Sequence, residues 1–321
     1  MAEQFTYAVA RIRALEVSLF NNATIDGIIT SPSYESAIQY LQEKGWGDAS
    51  TTKADEILKK EEEKIWEVVK DLHVDMKYFQ VLSLPKDFHN LKAAIKESTN
   101  TEKGLDIYYE DANLKKDFLL EILAAKDYFK LPENMQHPAE DAYEALLHTG
   151  DGQLCDLIID RACLDAIYEA GQKSDASIIK EYAESTVAVA DIKIAVRSAK
   201  TNKTLEFMNR AMAKCDSLNV DQLAKAALQG SDSLKDYLMG TAYKEGAEAL
   251  GTSPSEFERW CDNKIIETIS PQKYRAFTIG PVIAYVIARQ NEIKTVRIIL
   301  TGKANNLSED SIRERVREMY V

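Results

Sequence analysis

The chain has 321 residues, of which 45% are hydrophobic and 29% charged, and its formal net charge at pH 7 is −12. This length fits two or three units of about 100–150 residues, and the acidic balance disfavours nucleic acid as a partner, because phosphate backbones attract Lys and Arg. Only 13 glycines and 7 prolines interrupt the chain, which favours long helices and predicts an all-α protein.

Amphipathic patterns predict helices from one end of the chain to the other. One-sided apolar spacing occurs at residues 11–21, 53–72, 114–128, 155–170 and 312–320. Helix starts are predicted at Thr52, Asn219, Ser253 and Ser308, whose side chains can accept a hydrogen bond from an unpaired amide of the first turn. The β-branched stretch "TVRIIL" is locally ambiguous, but no alternating segment is long enough to build a sheet.

The most apolar run is "IGPVIAYVIA", residues 279–288, and it ends at Arg289. Its ten residues are too few for a membrane helix, which needs about 20. We expect a buried core segment and no direct membrane span. The first 25 residues do not have the apolar centre of a signal peptide. The four cysteines show no CxxC spacing, and this absence favours reduced thiols in a cytoplasmic protein.

Three similar stretches indicate an internal repeat. They read "HNLKAAIKESTN", "ADIKIAVRSAKTN" and "NEIKTVRIILTGKANN", and their lysines, Lys92, Lys193 and Lys294, are spaced by 101 residues. The equal spacing predicts three helical units, 1–104, 105–205 and 206–321, the last of which comprises the third repeat and a C-terminal helix. Because one repeat cannot bury its apolar face alone, the three should pack in a line or around a pseudo-three-fold axis. The lysines are either intrarepeat salt-bridge or snorkelling residues, which is the favoured interpretation, or partner contacts.

Motifs for catalysis, metal binding and cofactor binding are missing. Gly302-Lys303 is not part of a P-loop, since no glycine stands five residues before it and Ala304 replaces the required Ser or Thr. None of the four histidines lies in HExxH. The sequence therefore predicts no catalytic residue, no metal and no cofactor.

An enzyme remains the alternative. Asp156 and Asp160 share a helical face and Asp165 follows, and such a pattern would suit a scattered magnesium-dependent aspartate site. A solvated face beside Arg161 is the favoured interpretation of these carboxylates.

Both ends of the chain resemble a known family. The opening "YAVARIRALEVSLFNNATIDGIITSPSYESAIQYLQEKGWGD", the internal "DFHNLKAAIK" and the closing "EIKTVRIILTGKANNLSEDSIRERVREMY" are similar to the C subunits of the archaeal and bacterial A-type/V-type ATPases, the relatives of the eukaryotic d subunit. The resemblance implies an all-α fold of three similar subdomains around a pseudo-three-fold axis, forming a funnel.

The resemblance also implies a function. Members of that family are non-catalytic rotor subunits of the central stalk that hold the central shaft and sit on the membrane proteolipid ring. They thereby couple ATP hydrolysis or synthesis to translocation of H⁺ or Na⁺. The chain would be cytoplasmic and peripheral at the inner face of the cell membrane, bound through the complex.

The C-terminal arginines are the candidates for contact with an acidic partner surface. Arg313, Arg315 and Arg317 form a local basic group on an acidic protein. The same three residues could instead be a solvated helix face. Together with Lys92, Lys193 and Lys294 they are the predicted partner-interface residues.

Overall fold

A computed structural model of the chain describes residues 5–48, 50–99 and 107–321. Within these residues every regular element is helical and no strand occurs, which confirms the all-α prediction. The α-helices are α1 Thr6–Glu16, α2 Asn22–Ile29, α3 Tyr34–Glu43, α4 Ala54–Asp71, α5 Gln80–Thr99, α6 Lys116–Ala125, α7 Glu133–Thr149, α8 Gly152–Lys173, α9 Ser177–Thr201, α10 Leu205–Ala211, α11 Val220–Gln229, α12 Ser231–Met239, α13 Lys244–Thr252, α14 Pro254–Ile269, α15 Gly280–Ala304 and α16 Glu309–Arg313. Single 3₁₀ turns span Met76–Phe79, Tyr128–Lys130 and Ser270–Tyr274.

The helices form two compact units. Unit 1 comprises Met1–Tyr78, Ala176–Ile178 and Glu245–Val321, and unit 2 comprises Phe79–Asp175 and Ile179–Lys244. Each compact unit is a set of residues in mutual contact, which is a different property from internal repetition. The division into three repeats therefore stays a prediction. Its first boundary, between residues 104 and 105, lies outside the described residues, and its second falls where α10 begins.

Helix α15 is the centre of unit 1. It packs against α1, α2, α3, α4, α14 and α16, and most of its residues are buried, including the whole run 279–288. A helix that is apolar on all sides is stable only when other helices surround it. The expectation of a buried core segment is thus confirmed. Among the described residues, none of the helices has the length and apolarity needed to cross a membrane.

Unit 2 is built on α5 and α8. Helix α5 packs against α6, α7 and α8, while α8 also contacts α7 and α10, and α11 joins α10 to α12. Gly171 in α8 lies so close to α9 that a Cβ at this position would collide with the Cβ of Ala183. The absence of a side chain at residue 171 therefore sets how closely these two helices approach.

Three of the four predicted helix caps are confirmed. Asn219, Ser253 and Ser308 each accept a hydrogen bond from an amide of the first turn. The prediction at Thr52 is wrong, because α4 begins at Ala54 after Lys53, which provides no side-chain cap. The amide of Ala54 instead donates to the hydroxyl of Tyr34, at 3.1 Å.

The predicted C-terminal helix over residues 312–320 is also wrong. Helix α16 ends at Arg313 and the chain continues without helical structure. The reason is tertiary: the Glu318 carbonyl accepts from the Asn291 side chain and the Glu318 amide donates to that of Asn263, at 2.8 and 2.9 Å. The Asn263 side chain accepts from an amide that a longer helix would pair internally, and Asn291 donates to a carbonyl that a helix ending at Tyr320 would leave unpaired.

The close approach at Gly171 can be tested with a matched glycine in the same helix. We expect Gly171→Ala to lower the free energy of unfolding by roughly 1–3 kcal/mol, because the new methyl group overpacks the contact with Ala183. A Cβ at Gly152 would meet no atom within 4 Å, so Gly152→Ala should be neutral or slightly stabilising. Chemical denaturation followed by circular dichroism measures both, and equal effects of the two changes would contradict the packing argument.

Candidate interaction surfaces and buried polar contacts

Lys92 binds two aspartates within unit 2. Its Nζ lies 2.7 Å from Asp160 Oδ1 and 3.8 Å from Asp156 Oδ1, and Lys96 Nζ lies 2.5 Å from the same Asp156 oxygen. Arg161 pairs with Asp165 instead, at 2.8 Å. The three carboxylates considered for magnesium therefore all face positively charged side chains. Within the described ranges, no group of three or more His, Cys, Asp or Glu residues is placed to hold a metal ion.

Lys294 also has an aspartate partner within its own unit. Its Nζ lies 2.7 Å from Asp262 Oδ2 in unit 1. Lys193 lies half-buried on α9. Lys92 and Lys294 thus act as intrachain salt-bridge residues, and a further contact of any of the three lysines with a partner stays a prediction.

The three C-terminal arginines have different surroundings. Arg317 Nε lies 2.6 Å from Asp262 Oδ2, with only 10% of its side chain exposed, so it shares this carboxylate with Lys294. Arg313 pairs with Asp26 of α2. Arg315 is exposed, and its guanidinium donates to the Ser311 carbonyl at 2.7 Å. Of the three, Arg315 has the side chain most accessible to a partner.

Buried polar residues stand two positions before each repeat lysine. Asn90, Asp191 and Glu292 are all buried, and they follow the same 101-residue spacing. Each accepts a backbone amide: from Tyr109 at 2.8 Å, from Ala213 at 3.0 Å and from Phe20 at 2.6 Å, respectively. The motif comparison missed this position because its residue type differs in every copy, although the spacing alone could have identified it.

Asn90 and Asp191 both accept a hydrogen bond from a backbone amide, but their side chains differ in their other hydrogen bonds. The Asn90 amide group also donates to the carbonyls of Tyr109 and Leu114, at 2.9 Å each. Asp191 Oδ2 is buried and has no hydrogen-bond partner. Burial raises the pKa of Asp191 to about 8, although the Ala213 amide and Arg161 oppose the shift. At neutral pH the neutral acid, which has the shape of Asn, is therefore the favoured form.

Glu292 belongs to a buried charge network in unit 1. Arg289 Nη2 lies 2.8 Å from Glu61 Oε2, and Arg289 Nη1 contacts Glu292. Lys64 also pairs with Glu61, at 2.6 Å, and the Trp46 ring centre lies 4.9 Å from the guanidinium carbon. Burial raises the pKa of Glu292 to about 7, while Arg289 acts to lower it. The network links α4 and α15 to the segments around Phe20 and Trp46. Sequence reasoning missed it, although Arg289 marks the end of the most apolar run.

An acidic groove lies between α13 and α14 in unit 1. It has a volume of 530 Å³, and Trp260 forms part of its wall. The Cβ that Gly246 lacks would lie 2.6 Å from this indole. The charged residues that line the groove are Glu245, Glu248, Glu256, Arg259, Lys264, Glu267 and Glu318. Both cations pair with groove carboxylates, so the groove keeps a negative excess.

Comparison with known proteins finds one family model that matches almost the whole chain. The model of the ATP synthase (C/AC39) subunit family matches residues 8–315. The chain is 20% identical to the C subunit of the V-type sodium ATPase of Enterococcus hirae, with 96% of this chain and 97% of the relative covered. It is 21% identical to the C subunit of the A-type ATP synthase of Methanocaldococcus jannaschii, over 96% and 85%, and 22% identical to that of a Desulfurococcus species, over 98% and 91%.

Replacing Asp191 by Asn tests whether the acid acts in its neutral form. The pKa of about 8 in the folded chain exceeds the value of about 4 for an exposed Asp. Between these pH values the Asp191 carboxyl is therefore protonated more fully in the folded state than in the unfolded state. The stability that this proton provides is complete below pH 4 and is lost as pH rises through 8. Relative to Asp191→Asn, the unmodified chain should lose on the order of 4 kcal/mol of unfolding free energy between pH 5 and pH 9.

The reciprocal change at Asn90 is the matched control. Asn90→Asp removes the donor that serves two carbonyls, so it should destabilise the chain increasingly as pH rises. Denaturation curves at several pH values measure both variants. A pH-independent difference between the unmodified chain and Asp191→Asn would show that Asp191 is ionised throughout.

Replacing Arg289 by Met tests the buried network. Without the guanidinium, the carboxylates of Glu61 and Glu292 lose their shared cation in a buried place, and we expect a loss of about 3–5 kcal/mol in unfolding free energy. Arg297 lies on the same helix and pairs with Asp55 at 2.9 Å on the exposed surface, so Arg297→Met should cost less than about 1 kcal/mol. Similar losses for the two changes would mean that the buried network adds nothing beyond a surface pair.

Proposed function

This chain belongs to the ATP synthase (C/AC39) subunit family, and we propose on that premise that it is a non-catalytic central-stalk subunit of a rotary A/V-type ATPase. In this role it is a socket that joins the central shaft to the membrane proteolipid ring. It thereby couples ATP hydrolysis or synthesis to translocation of H⁺ or Na⁺, on the cytoplasmic side of the membrane. The family match over nearly the whole chain carries the proposal, and relatives named as ATPase and ATP synthase C subunits support it.

The packing of unit 1 suits a part that transmits torque. A socket has to pass rotation between its partners without deforming, and close-packed interiors are poorly compressible. Helix α15 packs against six other helices, and its first ten residues, 280–289, are all buried. The Arg289 network fixes it to Glu61 of α4 and, through Glu292, to the Phe20 amide. Segments far apart in the chain are thus tied to one helix.

The buried acceptors support the three-repeat organisation as part of the proposal. Asn90 and Asp191 take amides that lie shortly after them in the chain. Glu292 stands in the last repeat and takes the amide of Phe20, near the chain start. Equivalent positions that accept equivalent bonds are what three copies of one unit require.

The enzyme alternative receives no support from the geometry. The carboxylates of Asp156 and Asp160 lie against Lys92 and Lys96, and a positive charge at that place opposes the binding of a divalent cation. We therefore do not propose a magnesium-dependent activity.

Reconstitution tests the proposed function. The purified chain is added to a membrane sector and a shaft-bearing catalytic sector that both lack this subunit, and ATP-driven ion uptake into the vesicles is measured. We expect uptake to be restored, with one copy of the chain per complex. Uptake that does not depend on the chain would contradict the socket role.

Reversing the charge of Arg315 tests the predicted basic contact. Arg315 is exposed, so Arg315→Glu should leave the fold intact while reversing the local charge. If its partner surface is acidic, affinity for the partner subunits should fall by roughly threefold to tenfold at low salt, with a smaller loss at high salt. Lys53 is also exposed in unit 1, and Lys53→Glu serves as the control. Unchanged binding of Arg315→Glu at low salt would show that Arg315 is a solvated residue.

A further inference from the structure

The segment between α14 and α15 exposes two aromatic side chains. Tyr274 is 89% exposed and Phe277 is 61% exposed, and residues 274–278 form a continuous exposed stretch. We call residues 273–278 the aromatic loop. Exposed aromatics that lie close together in the chain are uncommon on a surface with no partner, and they mark candidate interaction sites.

Hydrogen bonds from Arg13 hold the backbone at and just before the aromatic loop. Arg13 Nη2 donates to the carbonyls of Gln272 and Arg275, at 2.7 Å each, and Arg13 Nη1 pairs with Glu16. The Gln272 side chain is buried beneath the start of α15, where a Cβ on Gly280 would collide with its Oε1. The two aromatics are therefore exposed on a supported loop, and binding there needs little ordering of the backbone.

The charges of the loop differ from those of the chain as a whole. Residues 270–279 read "SPQKYRAFTI", with Lys273 and Arg275 and no carboxylate, whereas the whole chain carries a net charge of −12. Lys273 Nζ lies 4.8 Å from the ring centre of Tyr320, and Arg275 is exposed. Aromatic side chains beside Lys and Arg are the combination found in protein segments at membrane–water interfaces.

We propose that the aromatic loop is the surface through which this chain contacts the membrane-embedded proteolipid ring. The proposal rests on the proposed function and names where one of its two partners binds. A surface that docks on a membrane-embedded ring comes close to the lipid headgroups, which are negatively charged on the cytoplasmic side. An acidic protein that docks there needs a local surface that is apolar and free of carboxylates, which the loop provides.

The aromatics would anchor the contact and the cations would limit repulsion. Tyr and Phe each bury about 150–250 Å² when fully enclosed, and such anchors carry most of the affinity of an interface. Two cations are too few to bind lipid firmly, since each contributes only about a factor of five near an anionic surface. The ring protein is therefore the committed partner, and lipid alone is the competing outcome.

The experiment compares three binding partners with three forms of the chain. The partners are the detergent-solubilised membrane sector, the isolated shaft subunits, and vesicles containing a quarter anionic lipid. The forms are the unmodified chain, Tyr274→Ser/Phe277→Ser, and the control Phe129→Ser. Phe129 is 87% exposed in unit 2 and stands beside a salt bridge between Asp127 and Lys130. Circular dichroism should show all three forms equally folded, because the replaced side chains are exposed.

We expect the double variant to bind the membrane sector at least tenfold more weakly while its affinity for the shaft is unchanged. Phe129→Ser should bind both as the unmodified chain does. Equal loss in both variants, loss of shaft binding, or a vesicle affinity that accounts for the whole effect would each overturn the assignment of the loop to the ring. If the unmodified chain binds neither the membrane sector nor the shaft, the proposed function fails, which is a separate result.

Discussion

The buried guanidinium of Arg289 is the constraint on which unit 1 depends. A charge in the interior is stable only when opposite charges and hydrogen bonds replace the water it has lost. Arg289 meets this requirement by holding Glu61 on α4 and Glu292 one turn further along α15. The Glu61 carboxylate in turn accepts the Gly47 amide at 3.2 Å, and that of Glu292 accepts the Phe20 amide at 2.6 Å. One cation therefore fixes two helices and two connecting segments.

The positions at the same 101-residue spacing carry different polar groups. Asn90 provides both a donor and an acceptor, so it pairs with an amide and two carbonyls without any charge. Asp191 provides one acceptor bond and keeps its second oxygen buried and unpaired. Glu292 is longer and reaches both an amide and a guanidinium. What the three positions share is an acceptor for a backbone amide, and the local surroundings decide its chemistry.

Patterns with a local cause could be predicted from the sequence, and contacts between distant segments could not. Helical periodicity predicted the all-α fold, and Ser253 was identified as a cap because its partner amide lies three residues away. The end of α16 was missed because Asn263 and Asn291, far away in sequence, bind the Glu318 backbone. Likewise, Asp156 and Asp160 were recognised as a pair on one face, but their cations come from α5. Spacing within a helix is visible in the sequence, whereas the facing helix is not.

Our proposal requires this chain to be a stoichiometric part of a rotary ATPase. The most direct measurement is to tag the chain in its own cells, solubilise the membranes gently, purify the tagged protein and determine the mass and composition of the intact assembly. We expect one copy of the chain together with shaft subunits and a proteolipid ring. Recovery of the chain without any other component of a rotary ATPase, from membranes in which that ATPase is present and intact, would contradict it.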